Sequence, residues 1–154
     1  MARMELFAGD VREILAVLAT EDVGGAREHH HVRAHLPLSG GMDPTWLDFF
    51  AEAVRVALDS DAPSDFIDAR IELGGDRESL TIERVEPGWI SAVARIPDSS
   101  VDAVAGRWID RLEDEIGILP AEEKPWIREL AGEVVAFCRT ADQAPDVVFV
   151  FGLS

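Results

Sequence analysis

The stretch from Phe66 to Ile96 narrows the possible folds most, because it reads as three short alternating runs joined by two turns. Ile67, Ala69, Ile71 and Leu73 alternate with Phe66, Asp68, Arg70 and Glu72, the period-2 pattern of a strand with one buried face. Gly74-Gly75-Asp76 tolerates positive φ and lets the chain reverse. Leu80 and Ile82 carry a second run, and Pro87-Gly88 suits the central positions of a type II turn. In the third run Ile90, Ala92, Ala94 and Ile96 face one way and Trp89, Ser91, Val93 and Arg95 the other. The pattern predicts an antiparallel three-stranded meander with one apolar side that helices must cover.

The flanks supply those helices. Leu6, Phe7, Val11, Ile14, Leu15 and Leu18 predict an amphipathic helix over residues 5–20, with Asp10 as a possible cap. After Gly24-Gly25, residues 28–38 alternate Val32, Ala34 and Leu36 with His31, Arg33 and His35, and Pro37 suggests an edge strand. Asp43-Pro44 marks a helix start, followed by a stripe of Trp46, Leu47, Phe50, Ala51, Val54 and Leu58. Ser99 with Asp102 resembles a capping pair before Val101, Val104, Ala105, Trp108, Ile109, Leu112 and Ile116, with Gly117 placed to end that helix in the left-handed conformation. Pro125 opens a last helix with Trp126, Ile127, Leu130, Ala131, Val134, Phe137 and Cys138 on its buried face. Val147 to Phe151 is apolar on both faces, as befits an interior strand.

The fold class expected is α+β: one mixed sheet of about five strands containing the meander, with helices mainly on one face. The last strand should lie parallel to at least one neighbour. All of residues 1–154 fit a single domain, long enough to bury roughly two-thirds of the unfolded surface. No apolar run approaches the roughly 20 residues of a membrane span, and the N-terminus has no signal-peptide core, so the expected location is the cytoplasm. A lone cysteine, Cys138, excludes an internal disulfide and a multi-thiolate zinc site, and its place in an apolar stripe predicts burial.

Charge is the strongest compositional signal. Thirty Asp and Glu against fourteen Lys and Arg leave a formal charge of −16, which disfavours nucleic acid and anionic membranes as partners. Three readings of this acidity are open: solubility or salt adaptation, steering toward a basic protein, and nucleic-acid mimicry.

Chemistry is sparse. His29, His31 and His35 would share one side of the 28–38 strand, and their imidazoles are the one local concentration of metal ligands, suited to Zn²⁺, Ni²⁺ or Cu²⁺, with a carboxylate such as Glu72 or Glu83 as a further ligand. The alternative is a solvated edge whose polar side chains discourage strand addition. The Asp110/Asp114 and Glu129/Glu133 pairs fall on faces that the stripes predict to be wet. No phosphate loop or nucleophile elbow is present, and no cofactor is implied. Trp46, Trp108 and Trp126 read as core. Trp89, with Phe66 and Val93 on the second side of the meander, reads as either a partner-binding patch or a face beneath another helix.

Three functions remain open. One is a non-enzymatic interaction module binding a basic protein in the manner of an inhibitor, or self-associating. Another is a metal-binding protein or metal-dependent enzyme built on His29, His31 and His35, and the third is a small-molecule binder.

Overall fold

The computed structural model describes residues 2–10, 12, 32–38, 45–58, 67–74, 80–142 and 146–153. In chain order they form β1 (Ala2–Gly9), β2 (Val32–Leu38), α1 (Thr45–Leu58), β3 (Ile67–Gly74), β4 (Leu80–Val85), α2 (Pro87–Ala94), a 3₁₀ turn (Asp98–Ser100), α3 (Val101–Ile116), α4 (Lys124–Ala141) and β5 (Asp146–Leu153). The class is α+β. The strands lie in the order β2-β1-β5-β4-β3.

Every neighbouring pair in this sheet is antiparallel, so the sheet is not the mixed one expected. β5 does lie inside, between β1 and β4, where both edges of its backbone find partners. Its register against β1 runs from Ala2 opposite Leu153 to Gly9 opposite Asp146. β2 occupies one edge, and Pro37, which has no N–H to offer an outer neighbour, is exposed there.

Two elements differ from the sequence reading. Residues 5–9 are strand, not helix: Leu6, Phe7 and Ala8 are fully buried, so both faces of β1 are closed and its apolar run lacks alternation. Asp10 follows, accepting the Arg12 backbone N–H at 2.9 Å as a helix cap would; residues 11 and 13–20 of the expected helix lie outside the described residues. The third run of the meander is helix α2. Glu86 caps it by accepting the Gly88 N–H at 3.1 Å, and Pro87 fills the first turn, where its missing N–H costs nothing. Trp89, Ile90, Val93 and Ile96 are buried, at helical spacing, and only Ser91 and Arg95 are polar, four residues apart on one stripe. The meander therefore reduces to the β3–β4 pair.

The core joins Leu6 and Ala8 of β1, Leu36 and Leu38 of β2 and Val85 of β4 to the buried stripes of all four described helices. α1 packs on α3, α2 and α3 pack on α4, and α4 reaches β2. At the centre, Phe50 meets Trp108 edge-on at 4.9 Å and Trp89 at 6.0 Å. Both indoles donate to the first turn of α1: Trp108 Nε1 to the Trp46 carbonyl at 2.8 Å and Trp89 Nε1 to the Leu47 carbonyl at 3.2 Å. Cys138 is fully buried, and its loss of water, with a smaller contribution from the Asp142 carboxylate, pushes its thiol pKa well up.

α3 begins after Ser100, whose side chain makes no capping bond, so the expected Ser99 cap is displaced by the 3₁₀ turn. It ends at Gly117, with φ +94° and ψ 174°. That is a positive-φ region open essentially to glycine alone, though not the left-handed helical one.

Candidate functional site

Of the histidine cluster, His35 lies on β2, while His29 and His31 fall outside the described residues. Register sets His35 opposite Phe7, and the two rings lie 4.8 Å apart. His35 Nε2 is 3.2 Å from Glu5 Oε1, and the Glu5 side chain is only 1% exposed. The imidazole is thus partly buried beside a buried carboxylate, and not fully solvated as in the edge-strand alternative. Glu5 sits two positions from Phe7 on the same side of β1, where an antiparallel ladder brings diagonal neighbours within reach of long side chains.

Of the patch expected around Phe66, Trp89 and Val93, the described residues include Trp89 and Val93. Trp89 and Val93 are fully buried because their segment is helical and turns them into the core, and Phe66 lies outside the described residues. Helix burial explains Trp89, so it is not a surface for a partner.

A shallow groove of about 210 Å³ runs between α1 and α3, with Glu52, Val56, Arg107, Asp110, Arg111 and Asp114 along it. It is smaller than the roughly 300–1,000 Å³ that houses drug-sized ligands. Arg111 spans it, bonding Glu115 at 2.6 Å and Glu52 at 2.8 Å with its guanidinium 4.3 Å from the Phe49 ring; the bonds to Glu115 and then Glu52 raise its pKa further. Arg111 therefore braces the helices and is committed to that role.

The exposed surface of α3 and α4 is acidic, and Asp110 and Asp114 belong both to it and to the groove. Residues 110–133 hold eight carboxylates against three cations. Asp110, Asp114, Glu122, Glu123, Glu129 and Glu133 are exposed, and their side chains have no hydrogen bond or ion pair among the described residues. Ile116 is 54%, Ile118 90% and Trp126 38% exposed; with Val56 they are the large hydrophobic side chains left open among the described residues. The sequence placed Ile116 and Trp126 in buried stripes. Instead, Ile127 opens the buried face of α4, and Trp126, one residue earlier, is rotated by about 100° around the helix.

The turn carrying these residues is firmly held. Glu113 accepts the Leu119 N–H at 2.9 Å and lies 3.6 Å from Lys124 Nζ, tying the last turn of α3 to the first residue of α4. The Gly117 N–H donates to the Glu113 carbonyl at 2.9 Å, and Leu119 is buried. Ile118 thus points outward between two fixed neighbours.

No family model matches the chain, and no curated protein does. A solved structure, the protein of unknown function YfbM from Escherichia coli, is similar over 99% of this chain and 100% of its own, with 11% identity and a TM-score of 0.46. A likeness of that degree lends no functional residue.

Proposed function

We propose that this chain is a non-enzymatic protein-interaction module that captures a basic protein on the acidic surface of α3 and α4. The observation that carries the reading is the set of exposed carboxylates along residues 110–133 that have no side-chain partner among the described residues, in the same stretch of chain as the uncovered Ile116, Ile118 and Trp126. Unpaired surface charge of one sign steers an oppositely charged partner and raises its association rate, and aromatic anchors supply the affinity. Two copies of a chain carrying −16 repel each other, which argues against self-association. The test is association with basic protein probes from about 0.02 M to about 0.5 M salt, comparing the parent with an Asp110→Asn, Asp114→Asn, Glu129→Gln, Glu133→Gln variant. Association should slow about tenfold or more in the variant and at high salt. Equal association rates for parent and variant would overturn the reading.

A second reading keeps the histidine strand as a metal site. The Glu5 carboxylate beside His35 favours it, since one oxygen and one nitrogen ligand already lie 3.2 Å apart, and His29 and His31 are the candidates to complete the set. Elemental analysis of untagged, dialysed protein tests it: about one metal per chain, lost on His35→Ala, supports the site. Metal-free protein removes it.

A further inference from the structure

Resting on the acidic-surface reading, we infer that the turn between α3 and α4, presenting Ile116, Ile118 and Trp126, is the docking point for a basic amphipathic peptide segment of the partner protein.

The argument starts from Ile118. An isoleucine 90% exposed forgoes the stabilisation that burial of its side chain would bring, and here the backbone holds it in that position. Both flanking amides are bonded to Glu113, one to its carbonyl and one to its carboxylate, and Gly117 adopts a backbone conformation that few other residues accept. The backbone that carries the side chain is therefore already ordered before a partner arrives, so binding loses little main-chain entropy there. Trp126, in the first turn of α4, belongs to the same end of the helix pair, because the Lys124–Glu113 contact draws that turn onto α3. Trp46, Trp89 and Trp108 are all buried, which leaves Trp126 as the tryptophan a partner can touch.

Charge selects the occupant. Asp114, Glu122, Glu123 and Glu129 bracket the apolar residues in sequence, and all four are exposed without side-chain partners among the described residues. A second copy would bring the same carboxylates against these, and anionic lipid or nucleic acid would be repelled. A purely basic segment would leave Ile118 and Trp126 uncovered. A segment with Leu or Phe on one face and Lys or Arg on the other satisfies both requirements, in the manner of amphipathic helices that seat apolar anchors on a partner. Three apolar anchors make a small contact, so the interaction is a transient one.

The probe is a fluorescent peptide of about fifteen residues with Leu on one helical face and Lys/Arg on the other, titrated with the full chain and followed by anisotropy at about 0.05 M salt. A second peptide replaces every Leu with Ser at constant charge. Ile118→Ser and Trp126→Ser variants are compared with the parent after their melting curves are shown to match it. The inference expects each variant to lose about tenfold in affinity and the Leu-free peptide to bind at least tenfold more weakly than the amphipathic one. If parent and variants bind the amphipathic peptide equally, or if the Leu-free peptide binds equally well with strong salt dependence, the docking point is wrong while the acidic-surface reading stands. Should neither peptide bind even at low salt, both fail together.

Discussion

Trp108 offers the most demanding test of the packing. Its side chain is fully buried, stands edge-on to Phe50 at 4.9 Å and donates its indole N–H to the Trp46 carbonyl at 2.8 Å. Trp108→Ala removes a large aromatic from a closed core, worth about 3–5 kcal/mol, and it includes loss of an aromatic pair of about 0.5–1.5 kcal/mol. Trp108→Phe retains an aromatic ring but forfeits the N–H, and the Trp46 carbonyl lies in a helix turn where it has another donor to draw on, so that loss is about 1–2 kcal/mol. For a chain of this size each kcal/mol moves the melting temperature by roughly 2–4 °C, so the alanine variant should melt about 6–20 °C below the parent. Urea denaturation should show the midpoint falling with the slope unchanged, and the phenylalanine variant in between. An alanine variant within about 1 kcal/mol of the parent would refute the placement of Trp108 at the centre of the core. Equal losses for Phe and Ala would show that the hydrogen bond, not the ring, carries the effect.

Gly117→Ala should cost about 1–3 kcal/mol in urea midpoint measurements, because φ of +94° is strained for alanine while a Cβ there meets nothing within 4 Å; an unchanged midpoint refutes the strain. His35→Leu should destabilise by about 1–3 kcal/mol through loss of the bond to buried Glu5, and a neutral result would show that the pair contributes nothing. Cys138 should resist Ellman's reagent in the native chain at about pH 8 and react fully in urea, since burial raises its pKa; prompt native reaction would place the thiol at the surface. For the same thiol the folded pKa lies above the unfolded one, so its stabilisation is complete below the unfolded value of about 8.5 and declines as pH rises above it. The stability gap between parent and Cys138→Ala should narrow between about pH 8 and pH 10, and a constant gap would contradict that sign.

The sequence disclosed most where the hydrophobic period was clean. The stripes of α1 and α3 matched their buried faces from Trp46 to Val54 and from Val104 to Leu112, and the doubly apolar run at Val147 found its interior place in the sheet. β1 was hidden because Leu6, Phe7 and Ala8 are buried together: with neither face wet, alternation vanishes, and the run from Leu6 to Ala8 fits a helix equally well until the Gly9-Asp10 boundary is weighed. α2 was hidden for the opposite reason. With Ala and Val at most positions from Ile90 to Ala94, any period fits, and the usable signal was Ser91 and Arg95 falling four apart behind a Glu-Pro-Gly helix start. Exposure of Ile116 and Trp126 was illegible because a stripe marks the face that can be buried, whereas burial also requires something to lie against it. The contact between His35 and Glu5, thirty residues apart, depends on the register of β1 and β2, which local pattern does not set.

The central position of β5 bears on how the chain acquires its fold. Without that strand the sheet separates into two pieces, β2-β1 and β4-β3, and isolated two-stranded units are marginal in water. The piece formed earliest in synthesis must wait for residues 146–153 before its inner edge is paired, so the most sequence-distant contacts are also the ones that make the sheet whole. Such topology raises contact order and slows folding, and it leaves the inner edge of β1 open to mispairing while the intervening helices are being made. The helical layer, with its short-range packing of α2, α3 and α4, can gather first and provide the surface on which β5 closes the two halves into one cooperative unit.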